Sequence, residues 1–298
     1  MAGHFEFDYF FWVVAVGTMI LGASAAVVGS TLVLEKQSQL GDAIGHAVYP
    51  GVVLAFIVFQ TRLPIILLFG AIFAGLMAFI VIRWIRKHSD FHYEAILALV
   101  LSAFFGIGMA LSSYIQGNPN FQKAAQAGLK QYIMGQAAYL VMDDVWLIAG
   151  VSLLCLTIFF VLYPKIKLVL FDKIYANAIG IPARRISNIC LLLCLLMICI
   201  GLKVVGAILI SSMLVAPTVA ALQWTRNYRH VLWIASFIGI ASAFLGTYLS
   251  TAIPKLATGP TIVLCLSAFA LISILFSPNG LLITKLRRLT NNTQQEVA

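Results

Sequence analysis

Charged residues in this chain gather in short clusters, and the stretches between the clusters are almost wholly apolar. A helix crossing a bilayer needs about 20 such residues. Nine candidate spans follow, at about 10–34, 42–60, 63–83, 94–115, 143–163, 187–202, 204–223, 231–252 and 260–277. Pro50-Gly51 interrupts the second. Little more than Lys203 separates the sixth and seventh, so that pair reads as a tight hairpin or as one broken unit. Eight spans therefore stand as the alternative to nine.

Composition agrees. Of 298 residues 62% are hydrophobic and 10% are charged, where a soluble domain is about a quarter charged. The expected class is an all-α integral membrane protein, a polytopic bundle of eight or nine transmembrane helices filling residues 1–285. The opening MAGHFEFDYFF is acidic and no small-residue cleavage site follows it, so the first apolar run is read as a span and not as a signal. Residues 286–298, ending NNTQQEVA, are expected to form a disordered cytoplasmic tail.

The net charge of +9 acts through topology. With nine spans, fourteen of the nineteen Lys and Arg residues fall on one side, in loops marked by Lys36, Arg83, Lys165, Arg226 and Lys285. That side is the cytoplasm. The N-terminus, with Glu6 and Asp8, lies outside. No basic helix with interleaved aromatics stands apart, so a nucleic-acid partner is not expected.

Two loops are long. The outer one, about 116–142, suggests an amphipathic segment at the interface, ending at Asp143 and Asp144. The cytoplasmic one, about 164–186, holds a short helix in FDKIYANAIG that Gly180 and Pro182 stop. Its mixed apolar and charged residues suit a docking surface or a helix lying on lipid.

Within the apolar background, LGDAIGHAVYPG places Asp42 and His46 four residues apart, on one helical face. Ionisable groups inside a membrane mark functional sites by default, and carboxylate with imidazole suits a first-row divalent metal. Pro50 removes a backbone donor and bends the helix, and Gly51 allows close approach. The alternative makes Asp42 the N-cap of the second span and His46 a histidine satisfied by a carbonyl. Two ligands do not close a site, but a two-fold dimer supplies four.

Other residues add less. Pro217 is read as a kink shaping a cavity wall. Cys190 and Cys194 are also four apart, but in LLLCLLMIC they read as core packing. All five cysteines lie in apolar runs, so no disulfide framework is expected. Glu94, Asp143 and Asp144 suit helix starts, and the two aspartates suit an outer cation-attracting mouth as well. There is no HExxH, GxxxxGK[ST] or GxSxG, which removes zinc-protease, P-loop ATPase and serine-hydrolase readings.

LGDAIGHAVYPGVVLAF resembles the signature of the membrane subunit of metal-ion ABC importers, the zinc, manganese and iron permeases of the ABC-3 family. EAILALVLSAFFGIG, LFDKIYANAIGIPARR, VVGAILISSMLVAPTVAA and TGPTIVLCLSAFALISILFSPNGLL resemble its later segments in the right order, over nearly the full chain. Many relatives carry an acidic pair before the AI of the fourth span; here Tyr93-Glu94 supplies one acid.

The resemblance implies a non-enzymatic permease in the multi-pass cytoplasmic membrane of a prokaryote. It implies Asp42 and His46 as metal-coordinating or gating residues, beside the helix break read from Pro50 and Gly51 and the kink read from Pro217. It implies a coupling helix at about 171–180, with Phe171, Asp172, Ala176 and Gly180 serving the ATPase. Expected partners are an ABC ATPase, an extracellular metal-binding protein and a second permease subunit, identical or paralogous. No tightly bound cofactor is expected. The cargo is a divalent cation, manganese favoured and iron or zinc open. Rival readings are an iron-chelate or vitamin ABC permease, and an ATP-independent channel or secondary transporter.

Overall fold

A computed structural model describes residues 9–61, 63–117, 140–253 and 256–278. The outer interfacial segment and the tail expected from sequence lie outside these residues. The helices are α1 (Tyr9–Leu34), α2 (Gln39–Ala47), α3 (Tyr49–Phe59), α4 (Pro64–His88), α5 (Tyr93–Gly117), α6 (Met142–Phe171), α7 (Lys173–Ala178), α8 (Ala183–Leu222), α9 (Tyr228–Ala252) and α10 (Thr258–Phe276). No strand occurs among the described residues.

Eight helical stretches here are long and apolar enough to cross a bilayer, α2 and α3 together making one. The longest, α8, has 40 residues. Straight, it would extend about 60 Å, about twice the hydrocarbon core. It is not straight. Gly206 has φ 82 and ψ 169, a region open essentially to glycine alone. The two halves, α8a (183–205) and α8b (207–222), fold back on each other. Cys194 Sγ of α8a lies 3.6 Å from the Val28 carbonyl oxygen, and the Leu214 backbone of α8b presses directly on Gly29 next door. Two residues twenty apart in sequence thus meet α1 at one level. The hairpin alternative holds, with the reversal at Gly206 inside one of the eight candidate spans.

α1 is the central post. It packs against α6, both halves of α8, and α9. Its hydroxyls are satisfied in place: Thr18 donates to the Val14 carbonyl at 2.8 Å, Ser24 reaches Ser152 of α6 at 3.0 Å, and Ser30 reaches Tyr228 of α9 at 3.0 Å. In a medium without water, such polar groups must find partners inside the protein.

Polar pairs mark the two ends. Arg83 of α4 donates to Asn188 near the start of α8a. Lys203, near the reversal, pairs with Asp144 at the start of α6. Asp144 therefore belongs to a structural ion pair at the outer end as well as to a helix start.

Candidate metal site

The helix carrying the pair begins at Gln39, with Ser38 at its N-cap position. Asp42 is thus inside the first turn and is not the cap, which removes that alternative. Its carboxylate still benefits from the positive helix start. Ala43, Ile44 and Ala47 bury the opposite faces of α2, which leaves Asp42 and His46 facing out of the protomer. Their side chains are 53% and 23% exposed, and His46 Nε2 lies 3.7 Å from Asp42 Oδ1. At that separation both groups can reach one ion.

The break after the pair has a simple cause. Pro50 has no N–H to continue the helix ladder, and α2 gives way to α3 at Val48. Val48 N–H still reaches the Ile44 carbonyl at 3.0 Å, so the chain continues in nearly the same direction. Gly51 then meets Gly70 of α4 with no room for a Cβ on either. This close backbone crossing locks α3 to α4, a packing reason for a glycine read from sequence as a break.

The depth of the pair is visible in the same contacts. A Cβ on Gly75 would lie 2.9 Å from Val48 Cγ1, and Gly75 is the twelfth of 25 residues in α4. Val48 is therefore near mid-depth, His46 half a turn below it, and Asp42 one further turn toward the cytoplasm.

α5 supports the pair from the side. Phe105 meets the His46 ring edge-on, centroids 5.4 Å apart, and lies tilted against Tyr49 at 6.1 Å. The Tyr49 hydroxyl is buried without a hydrogen-bond partner. Neither contact is readable from spacing, because α5 joins α2 only through the fold. Among the described residues no third His, Cys, Asp or Glu joins the pair. Pro217 is buried in α8b; the adjacent Thr218 donates to the Ala26 carbonyl at 3.3 Å, so it faces the α1 side of the bundle. Cys190 and Cys194 are buried, and Cys194 donates to α1, as expected of core thiols.

The cytoplasmic helix is built by its caps. Asp172 Oδ1 accepts from the Ile174 and Tyr175 amides, both at 2.9 Å. At the other end Gly180 has φ 84. Ile181 N–H reaches the Ala176 carbonyl at 2.9 Å and Gly180 N–H reaches that of Asn177 at 3.1 Å, the paired bonds of a Schellman stop. Phe171, Ile174, Tyr175 and Ile179 are exposed, while Ala176 is fully buried. Of the four coupling residues expected, Asp172 and Gly180 shape the helix, Ala176 anchors it, and Phe171 presents an apolar side chain outward.

The profile of the ABC 3 transport family matches residues 6–277. The chain belongs to the ABC 3 transport family. It is 39% identical over 291 residues to the manganese transport system membrane protein MntC of Bacillus subtilis, covering 96% of this chain and 65% of that protein's length. It is 35% identical over 290 residues to the zinc transport system membrane protein TroC of Treponema pallidum, covering 97% of this chain and 96% of that one. Its fold matches PsaBC from Streptococcus pneumoniae in complex with Fab, with a TM-score of 0.81 at 26% identity, over 94% of this chain and 96% of that chain. As an ABC 3 family member with these apolar helices, it is a multi-pass protein of the cell membrane.

Proposed function

We propose that this chain is the permease subunit of an ATP-driven importer of divalent metal ions, working as a dimer around a shared path. The observation that carries this reading is the Asp42–His46 pair, set on the cytoplasmic side of mid-depth and open on the outer face of the protomer. A carboxylate on a lipid-facing surface is costly. A second copy covers that face, removes the cost, and raises the donor set from two to four. The cation is cargo, and no cofactor is needed on this chain.

The partner ATPase docks on α7 and the residues that flank it, where Phe171, Ile174, Tyr175 and Ile179 are exposed apolar side chains. An extracellular binding protein delivers the ion to the outer mouth. Nucleotide binding favours one arrangement of the protomers and hydrolysis the other, each through different contacts. Release follows capture because two short-chain donors per protomer hold the ion without enclosing it.

Mixed oxygen and nitrogen donors suit manganese and ferrous iron and accept zinc. Relatives named for manganese and for zinc stand at similar identity. Manganese is the favoured cargo, with ferrous iron sharing its donor preference. Zinc would win on affinity order alone, so geometry or the delivery protein must discriminate.

The test is uptake of radioactive manganese and zinc by cells carrying the ATPase and binding protein, with the intact chain beside Asp42→Ala. Manganese uptake lost in an assembled variant supports site and metal. Zinc uptake alone overturns the metal, and uptake of neither favours a chelate importer. Deleting residues 171–180 abolishes uptake in an importer and spares it in a channel.

A further inference from the structure

Glu35 is the least expected charge in the molecule. It follows the last residue of α1, yet its side chain is only 6% exposed. Its Oε1 lies 3.0 Å from Lys173 Nζ, on the first residue of α7. The same oxygen accepts a hydrogen bond from Ser187 Oγ of α8a at 2.6 Å. One carboxylate thus joins α1, α7 and α8.

What lies beyond Glu35 gives this junction its meaning. The turn from α1 to α2 is short and internally bonded. Glu35 N–H reaches the Thr31 carbonyl at 2.9 Å, Gln37 N–H reaches that of Leu32 at 2.8 Å, and Leu40 N–H reaches that of Gln37 at 3.0 Å. Lys36 makes the turn with φ 58. Gly41 then packs between Leu32 and Leu214. The end of α1 and the start of α2 are bonded into one piece, and Asp42 is seven residues from Glu35. On the other side, α7 is held to α8 by the Ala183 N–H bond to Asn177 Oδ1 at 3.1 Å, a link that does not involve α2. The Lys173–Glu35 ion pair is a polar link from α7 toward the pair.

We infer that Glu35 is a positioning residue that couples α7 to α2, so that displacement of α7 shifts Asp42 and His46 along the path. This rests on the importer reading, because it assigns the source of displacement to an ATPase docked on α7. A carboxylate this buried stays with its cation, since separation leaves a charge without a partner in a poorly hydrated place. Lys173 is half-exposed, so it can follow α7 while Glu35 stays seated.

The experiment uses the full complex, with ATPase and binding protein, in liposomes, and reads metal ions moved per ATP hydrolysed. The variants are Glu35→Gln, Lys173→Met and Lys173→Arg. Glu35→Gln and Lys173→Met are expected to hydrolyse ATP at near the unmodified rate and to move about tenfold fewer ions per ATP, within the usual range of coupling between sites. Lys173→Arg, which keeps the charge, is expected to retain coupling. A merely structural role would lower ATP hydrolysis and transport together. If Glu35→Gln does not assemble, Lys173→Met at its half-exposed position decides the matter. Unchanged ions per ATP in Lys173→Met overturns the inference, as does equal loss in Lys173→Met and Lys173→Arg. An unmodified complex that moves neither manganese nor zinc defeats the importer reading instead, so the two failures are distinct.

Discussion

The Phe105 and His46 rings stand nearly perpendicular, centroids 5.4 Å apart, and this contact braces the imidazole against α5. Phe105→Ala frees the imidazole. Aromatic pairs of this kind contribute about 0.5–1.5 kcal/mol, so the apparent KM for metal uptake is expected to rise about two- to tenfold with the maximal rate less affected. Uptake kinetics in cells, normalised to the amount of protein in the membrane, check this.

The reversal in α8 depends on one residue. Gly206→Ala places a side chain where φ is 82 and ψ is 169, at a cost of about 1–3 kcal/mol. A lowered melting temperature of the detergent-solubilised protein is expected. An unchanged melting temperature would show that α8b can turn elsewhere.

Lys203 and Asp144 hold the outer ends of α8a and α6 together, with Asp144 only 14% exposed. Lys203→Met leaves that carboxylate unpaired and is expected to destabilise the fold by about 1–3 kcal/mol. Adding Asp144→Asn is expected to recover part of the loss. Thermal unfolding of both single variants and the double variant gives the coupling between them.

Ile174 is 85% exposed on α7. Ile174→Asp adds a charge to the apolar patch without disturbing the Asp172 cap or the Gly180 stop. Co-purification of the ATPase is expected to fall at least about tenfold, in line with a central apolar anchor at a protein interface, while the melting temperature of the permease alone holds. Retained co-purification would move the docking face away from α7.

Much of this protein is local in origin. The positions of the apolar runs, the side of the basic loops, the helix of FDKIYANAIG and the four-residue spacing of Asp42 and His46 follow from hydropathy, charge and helical period. Each depends on residues within a turn or a span of one another. The tertiary structure decided the rest. It turned α8 at Gly206 and not at Lys203. It placed His46 near mid-depth by packing Val48 on Gly75, and gave the pair an aromatic neighbour from α5. It converted Glu35 and Asp144, unremarked or ambiguous along the chain, into ion-pair partners of Lys173 and Lys203. The reason is that a buried charge or close backbone crossing takes its meaning from what stands opposite, and in a helical bundle the opposite residue is set by packing between spans distant in sequence.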